Sequence, residues 1–163
     1  MRHNIFLSRK GFTLIELMIV VIILGIIAAI GFPAYIGQQK SAARTEAYSN
    51  LQNLRLLEEQ FFAENASYTT ADLGVAGNTA AIRDSNLLLI QGSLPGFRPG
   101  TNTSFSYRTI QNNQLNTPVA NPPTWAASPA GTSCFVAVAT GILVNTRVAG
   151  DMFAIDCNNN RNF

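Results

Sequence analysis

The chain has 163 residues, 47% of them hydrophobic and only 12% charged, with a formal net charge of +2. That charged share is about half the usual one for soluble domains, which excludes a disordered chain or a charged tail protein. Three of the eleven basic residues (Arg2, Arg9 and Lys10) fall in the first ten positions, leaving eight basic and nine acidic side chains after them. A body so near neutrality carries no electrostatic footprint for nucleic acid. Two cysteines, Cys134 and Cys157, are too few for a disulfide-rich miniprotein or a four-thiolate zinc site.

No charged residue occurs from Leu17 to Gln39, and Leu17 to Ile36 is nearly all apolar. As a helix rising about 1.5 Å per residue, this run reaches about 30 Å, the thickness of a bilayer core. The apolar core of a secretory signal is shorter, about 7–15 residues. Cations precede the run and the next one is Lys40, so the positive-inside rule puts the N-terminus in the cytoplasm and the chain beyond Lys40 across the membrane. Cys134 and Cys157 would then meet an oxidising compartment and are expected to pair, contributing about 3 kcal/mol in the chain-entropy model. Two features exceed what a plain anchor needs. Glu16 heads the apolar run, where an unpaired carboxylate costs several kcal/mol. Gly25, Gly31 and Pro33 punctuate it, and Pro33 is expected to kink or locally melt the helix.

The segment Lys10-Gly11-Phe12-Thr13-Leu14-Ile15-Glu16, followed by Leu-Met-Ile-Val-Val, resembles the prepilin leader and N-terminus of the type IV pilin family. The resemblance is clear over roughly the first 70 residues. It implies a leader of residues 1–11, a transmembrane or filament-core helix over 12–36 and a periplasmic or extracellular globular domain over 37–163. It further implies that a membrane prepilin peptidase and methylase cuts between Gly11 and Phe12 and methylates the new amine of Phe12. Glu16 would meet the N-terminal amine of an adjacent subunit, and Gly25 to Pro33 would be the stretch able to lose helical structure.

Beyond Gln38 the uniform apolar run becomes a stripe: Ala43, Ala47, Leu51, Leu54, Leu57 and Phe61 recur every three or four residues. The pattern predicts one helix from about Phe12 to Ala63, bent near Pro33, with Phe61, Phe62 and Tyr68 as core residues holding helix to sheet. Thr69 to Thr103 reads as a connecting region with one short strand or turn of helix around Leu87 to Ile90. Strands are expected at Phe105–Ile110, Cys134–Thr140, Ile142–Val148 and Met152–Cys157. The stretch to Gly131, with Pro118, Pro122, Pro123, Pro129 and Trp125, reads as a loop. The expected class is α+β: a long N-terminal helix packed on three or four antiparallel strands.

Asp156, Asn158 and Asn160 place oxygens at alternate positions, a partial match to a calcium loop that lacks its glycine and distal glutamate. A polar turn after an edge strand is the better reading, and no cofactor is expected. No histidine follows His3, no Gly-x-Ser-x-Gly elbow or phosphate-binding loop occurs, and Asp151 and Asp156 are spaced for opposite strand faces. The resemblance therefore implies a structural subunit. It would sit in the bacterial inner membrane before assembly, be handled there by pilus assembly machinery, and afterwards form a homopolymer at the cell surface. The filament would serve adhesion, motility, biofilm formation or DNA uptake. A minor pilin or a type II secretion pseudopilin is the alternative, and a non-polymerising tethered binding domain the third reading.

Overall fold

A computed structural model describes residues 11–73, 79–100, 103–116, 122–145 and 147–163. Leader residues 1–10 and Pro118 of the expected loop lie outside the described residues. The fold begins with one helix, α1 (Leu14–Asn65), whose sequence changes character midway. Residues up to Gln38 form one unit and Gln39–Phe163 a second. In the first unit the large apolar side chains from Leu14 to Ile36 are exposed. The helix runs unbroken through Pro33.

In the second unit the predicted stripe is the buried one. Ala47, Leu51 and Leu54 are fully buried, and Ala43, Leu57 and Phe61 pack against the same core. The helix stops where Ala66 turns left-handed (φ 55°) and its N–H closes onto the Phe62 carbonyl at 2.8 Å. Phe62 stacks on Tyr68, which leans on Phe135, so the paired aromatics do join helix to sheet.

A second helix, α2 (Ala80–Ser93), replaces the short element expected near Leu87. Thr79 caps it, its hydroxyl accepting the Ile82 N–H at 3.3 Å. The helix turns Asn86 and Ile90 inward and leaves Leu88 and Leu89 exposed. A polar residue at a core position, its amide donating to the Ser106 hydroxyl, and two leucines on the wet side obscure the 3.6-residue period.

Three strands form an antiparallel sheet in the order β1 (Phe105–Gln111), β4 (Phe135–Gly141) and β5 (Met152–Asp156), close to three of the expected spans. Phe105 pairs with Gly141 and Val136 with Asp156. The region expected to be all loop contains a two-stranded ribbon, β2 (Asn113–Leu115) and β3 (Trp125–Ala127). β4 is buried on both faces. Phe135, Ala137 and Ala139 join the helix-side core, while Val136 and Val138 pack with Ala154, Leu115 and Trp125. That double burial explains its near-continuous apolar run.

The described residues of the expected strand Ile142–Val148 form turns and no strand. A Cβ on Gly141 would lie 1.9 Å from the Val148 carbonyl oxygen, so the chain doubles back directly after β4. The turns that follow are fixed by bonds from Asn145 N–H to Ile142 and from Val148 N–H to Asn145, both 3.1 Å. Ile142 and Val148 are buried while Leu143 and Val144 project, a pattern set by the loop and not by pleating.

The chain end folds along the outer strand. Asn162 accepts from Ala154 N–H at 2.9 Å and donates to the Met152 carbonyl at 3.0 Å. Phe163 stacks on Tyr48 with centroids 4.5 Å apart. On the opposite side of the sheet, Ala71 and Thr109 exchange backbone hydrogen bonds of 3.0 and 3.2 Å.

Candidate functional site

The helix start is built from Thr13 and Glu16. Thr13 is the N-cap, its carbonyl accepting from Leu17 N–H at 3.2 Å. Its hydroxyl accepts from Glu16 N–H at 3.3 Å, and the Glu16 Oε2 accepts from Thr13 N–H at 3.5 Å. This is a reciprocal capping box, which satisfies two of the four N–H groups a helix leaves open at its beginning. The sequence carried the signal, Thr-x-x-Glu before an apolar run, but the reading above assigned Glu16 only to a partner. One Glu16 oxygen thus serves its own helix, and Oε1 carries no bond within the described residues. Gly11 and Phe12 lie just outside the helix, Phe12 with 85% of its surface exposed.

From Leu17 to Ile36 the helix is long and apolar enough to cross a membrane. A Cβ on Gly25, Gly31 or Gly37 would meet nothing, so within this unit these glycines are not demanded by packing. Pro33 cannot donate to the Ala29 carbonyl, which leaves one acceptor of the helical ladder without its usual partner.

Cys134 and Cys157 form a disulfide, with Cα atoms 5.4 Å apart and a sequence separation of 23. It joins the residue before β4 to the one after β5. The neighbouring Asp156 is fully buried, and its carboxylate accepts from Leu115, Asn158 and Asn160 backbone N–H groups at 3.1, 3.0 and 2.8 Å. Asn160 Nδ2 donates a fourth bond at 2.9 Å. The oxygens that alternate in sequence are therefore not gathered around a vacant centre: Asp156 organises its own turn and ties β2 to β5.

Two charged groups carry structural weight that the sequence reading did not assign to them. Asp151 accepts a bidentate pair from Arg44, 2.9 Å from Nε and 2.8 Å from Nη2, with Lys40 Nζ at 4.0 Å. The hydrogen bond with Asp151 raises the Arg44 guanidinium pKa further above its already high ordinary value. Glu58 is buried in the helix-side core, accepting from Thr69 N–H at 2.9 Å and from the Thr69 hydroxyl. Burial pushes the Glu58 carboxyl above the ordinary carboxylate range, against the opposing pull of its Thr69 and Thr109 hydrogen bonds. The signal that separates Glu58 from Glu59 is its spacing, four residues after Leu54 and seven after Leu51, which places it on the buried stripe.

Residues 7–32 match the profile of the prokaryotic N-terminal methylation motif. Over 60 residues the chain is 48% identical to the type IV major pilin protein PilA of Myxococcus xanthus, covering 37% of this chain and 27% of that protein. Over 68 residues it is 32% identical to the type II secretion system core protein G of Klebsiella michiganensis, and 35% identical to that of Vibrio cholerae. Each of these two matches covers 42% of this chain, and 48% and 47% of the respective relative. The matched part thus spans half or less of each of these relatives. No solved structure matches the chain significantly. The N-terminal segment is a prepilin-type motif of the kind shared by type IV pilins and pseudopilins.

Proposed function

We propose that this chain is a structural subunit of a type IV pilus. In this reading the helix holds it in the bacterial inner membrane until the leader is removed, and the subunit then polymerises through the same helix. The observation that carries it is Glu16, an acidic group at the mouth of a bilayer-length apolar run, four residues past Phe12 inside the methylation motif. In an apolar filament core a lone carboxylate and a lone ammonium are each costly; together they offset one another and fix an axial register. The capping box supports this reading, because it fixes the carboxylate while leaving Oε1 for the amine of a neighbour.

Charge and cap can be separated. Glu16→Gln keeps a side-chain oxygen for the Thr13 N–H but removes the charge, whereas Thr13→Ala weakens the cap by about 1 kcal/mol and keeps the charge. Sheared filaments should vanish with Glu16→Gln and persist with Thr13→Ala, and a normal filament yield from Glu16→Gln would end the charge-pairing account. Gly11→Val should leave the leader attached, visible as a slower band on a gel, because a branched side chain crowds the scissile carbonyl.

The secretion pseudopilin is the second reading, favoured by the matches to core protein G. Mass spectrometry of sheared surface fractions decides between them. Abundant cleaved and methylated chain in the sheared fraction supports the pilus, and chain retained in the envelope supports the pseudopilin.

A further inference from the structure

The loop between β4 and β5 does something unusual with its apolar residues. Ile142 and Val148 are buried and pin its two ends, while Leu143 and Val144 between them are 56% and 80% exposed. The loop is held firmly: Ile142 N–H donates to the Ser104 carbonyl at 3.1 Å and Asn145 Nδ2 to the Ser104 hydroxyl at 2.6 Å. Asp151 N–H closes onto Val148 at 2.9 Å, and Gly141 N–H onto Asp151 at 2.9 Å. Two adjacent large apolar side chains are therefore presented to solvent on a laced support, a feature that marks an interaction surface.

Its place in the second unit says which surface. Asp151 at the base of the loop is the residue that clamps Arg44 and Lys40. Lys40 follows the last residue of the apolar run, Ile36, by one helical turn. The loop thus lies at the end of the second unit from which the chain continues toward the candidate span. Arg147 in the same loop is exposed, and Lys40 keeps much of its side chain in solvent. Apolar side chains flanked by cations are the composition that settles at the boundary between lipid headgroups and acyl chains.

We propose that the Leu143–Val144 tip is a second membrane contact: before assembly it dips into the phospholipid interface and restrains its own unit at the bilayer surface. The inference rests on the reading that residues 12–36 span a membrane. The restraint would be released on polymerisation, freeing the tip for other surroundings.

The test uses the full chain reconstituted in vesicles of phosphatidylcholine and phosphatidylglycerol, with lipids brominated near the headgroup as the fluorescence quencher for positions 143, 144 and 88 and lipids brominated near the acyl-chain end for position 26. Emission losses are compared with the parent, whose own Trp125 sets the baseline, for Val144→Trp, Leu88→Trp and Ile26→Trp. Leu88 is a similarly exposed apolar residue on α2, and position 26 lies inside the apolar run. A second tip variant, Leu143→Trp, guards against misfolding of the first. The expected result is marked loss for the indoles at 144, 143 and 26 and none beyond the parent at 88. Loss at 26 without loss at 143 or 144 overturns the inference and leaves the membrane reading standing. Absence of loss at all four positions overturns both. Equal loss at 88 and 144 overturns it as indiscriminate adhesion. A blue shift at 144 seen only in sheared filaments overturns it in favour of a contact between copies of the chain.

Discussion

Glu58 shows that a buried charge is read from its phase on the helix and not from the residue beside it. It shares a dipeptide with Glu59, yet Glu58 lies in the core on Thr69 while Glu59 meets the Tyr68 hydroxyl at the surface. Helical rotation of about 100° per residue separates them, and Glu58, four residues after Leu54 and seven after Leu51, shares the buried stripe. Because burial raises its native pKa above the unfolded value, the folded state holds the proton more tightly. Stability contributed through Glu58 is therefore full below the ordinary carboxylate pKa and is lost as pH rises through the raised native value. Glu58→Gln, which can satisfy the Thr69 bonds without a charge, should flatten this dependence. Thermal unfolding of the full chain in detergent should show a Tm advantage for the variant that grows from about pH 4 to pH 7; parallel Tm curves for both proteins would contradict it. Glu16 was the opposite case. Its place in the motif was plain from sequence, but its bond to Thr13 was overlooked because an acid at the head of an apolar run drew attention to partners outside the chain.

At the scale of elements, legibility followed the simplicity of burial. The long helix was readable because one face of its second half is apolar at every third or fourth position, and β4 because both its faces are covered. α2 was missed since its inward positions include Asn86, and β3 since prolines flank a strand of only three residues. The Ile142–Val148 segment misled for a different reason: its β-branched residues serve a turn forced by Gly141. That glycine gives a direct test. Gly141→Ala would drive a methyl into the Val148 carbonyl and should lower stability by about 3 kcal/mol or more. Chemical denaturation reads this as an earlier midpoint, and an unchanged midpoint would mean that the close approach is not as tight as described.

For the whole molecule, the disulfide and the chain end act together on the outer strand. Replacing both Cys134 and Cys157 by serine should cost about 3 kcal/mol and lower Tm by roughly 10 °C while leaving membrane insertion unchanged. Calorimetry and membrane fractionation of the same preparation would check the two halves of that statement. The three-stranded sheet has a further property that bears on how copies can associate. Asn162 occupies backbone groups along the free side of β5, and Ala71 does the same for β1. Exposed strand margins are templates on which proteins extend one another's ladders into insoluble fibres. Each margin is interrupted by hydrogen bonds from the chain's own segments, at Thr109 on one side and along β5 on the other, which steers self-recognition away from amyloid-like stacking.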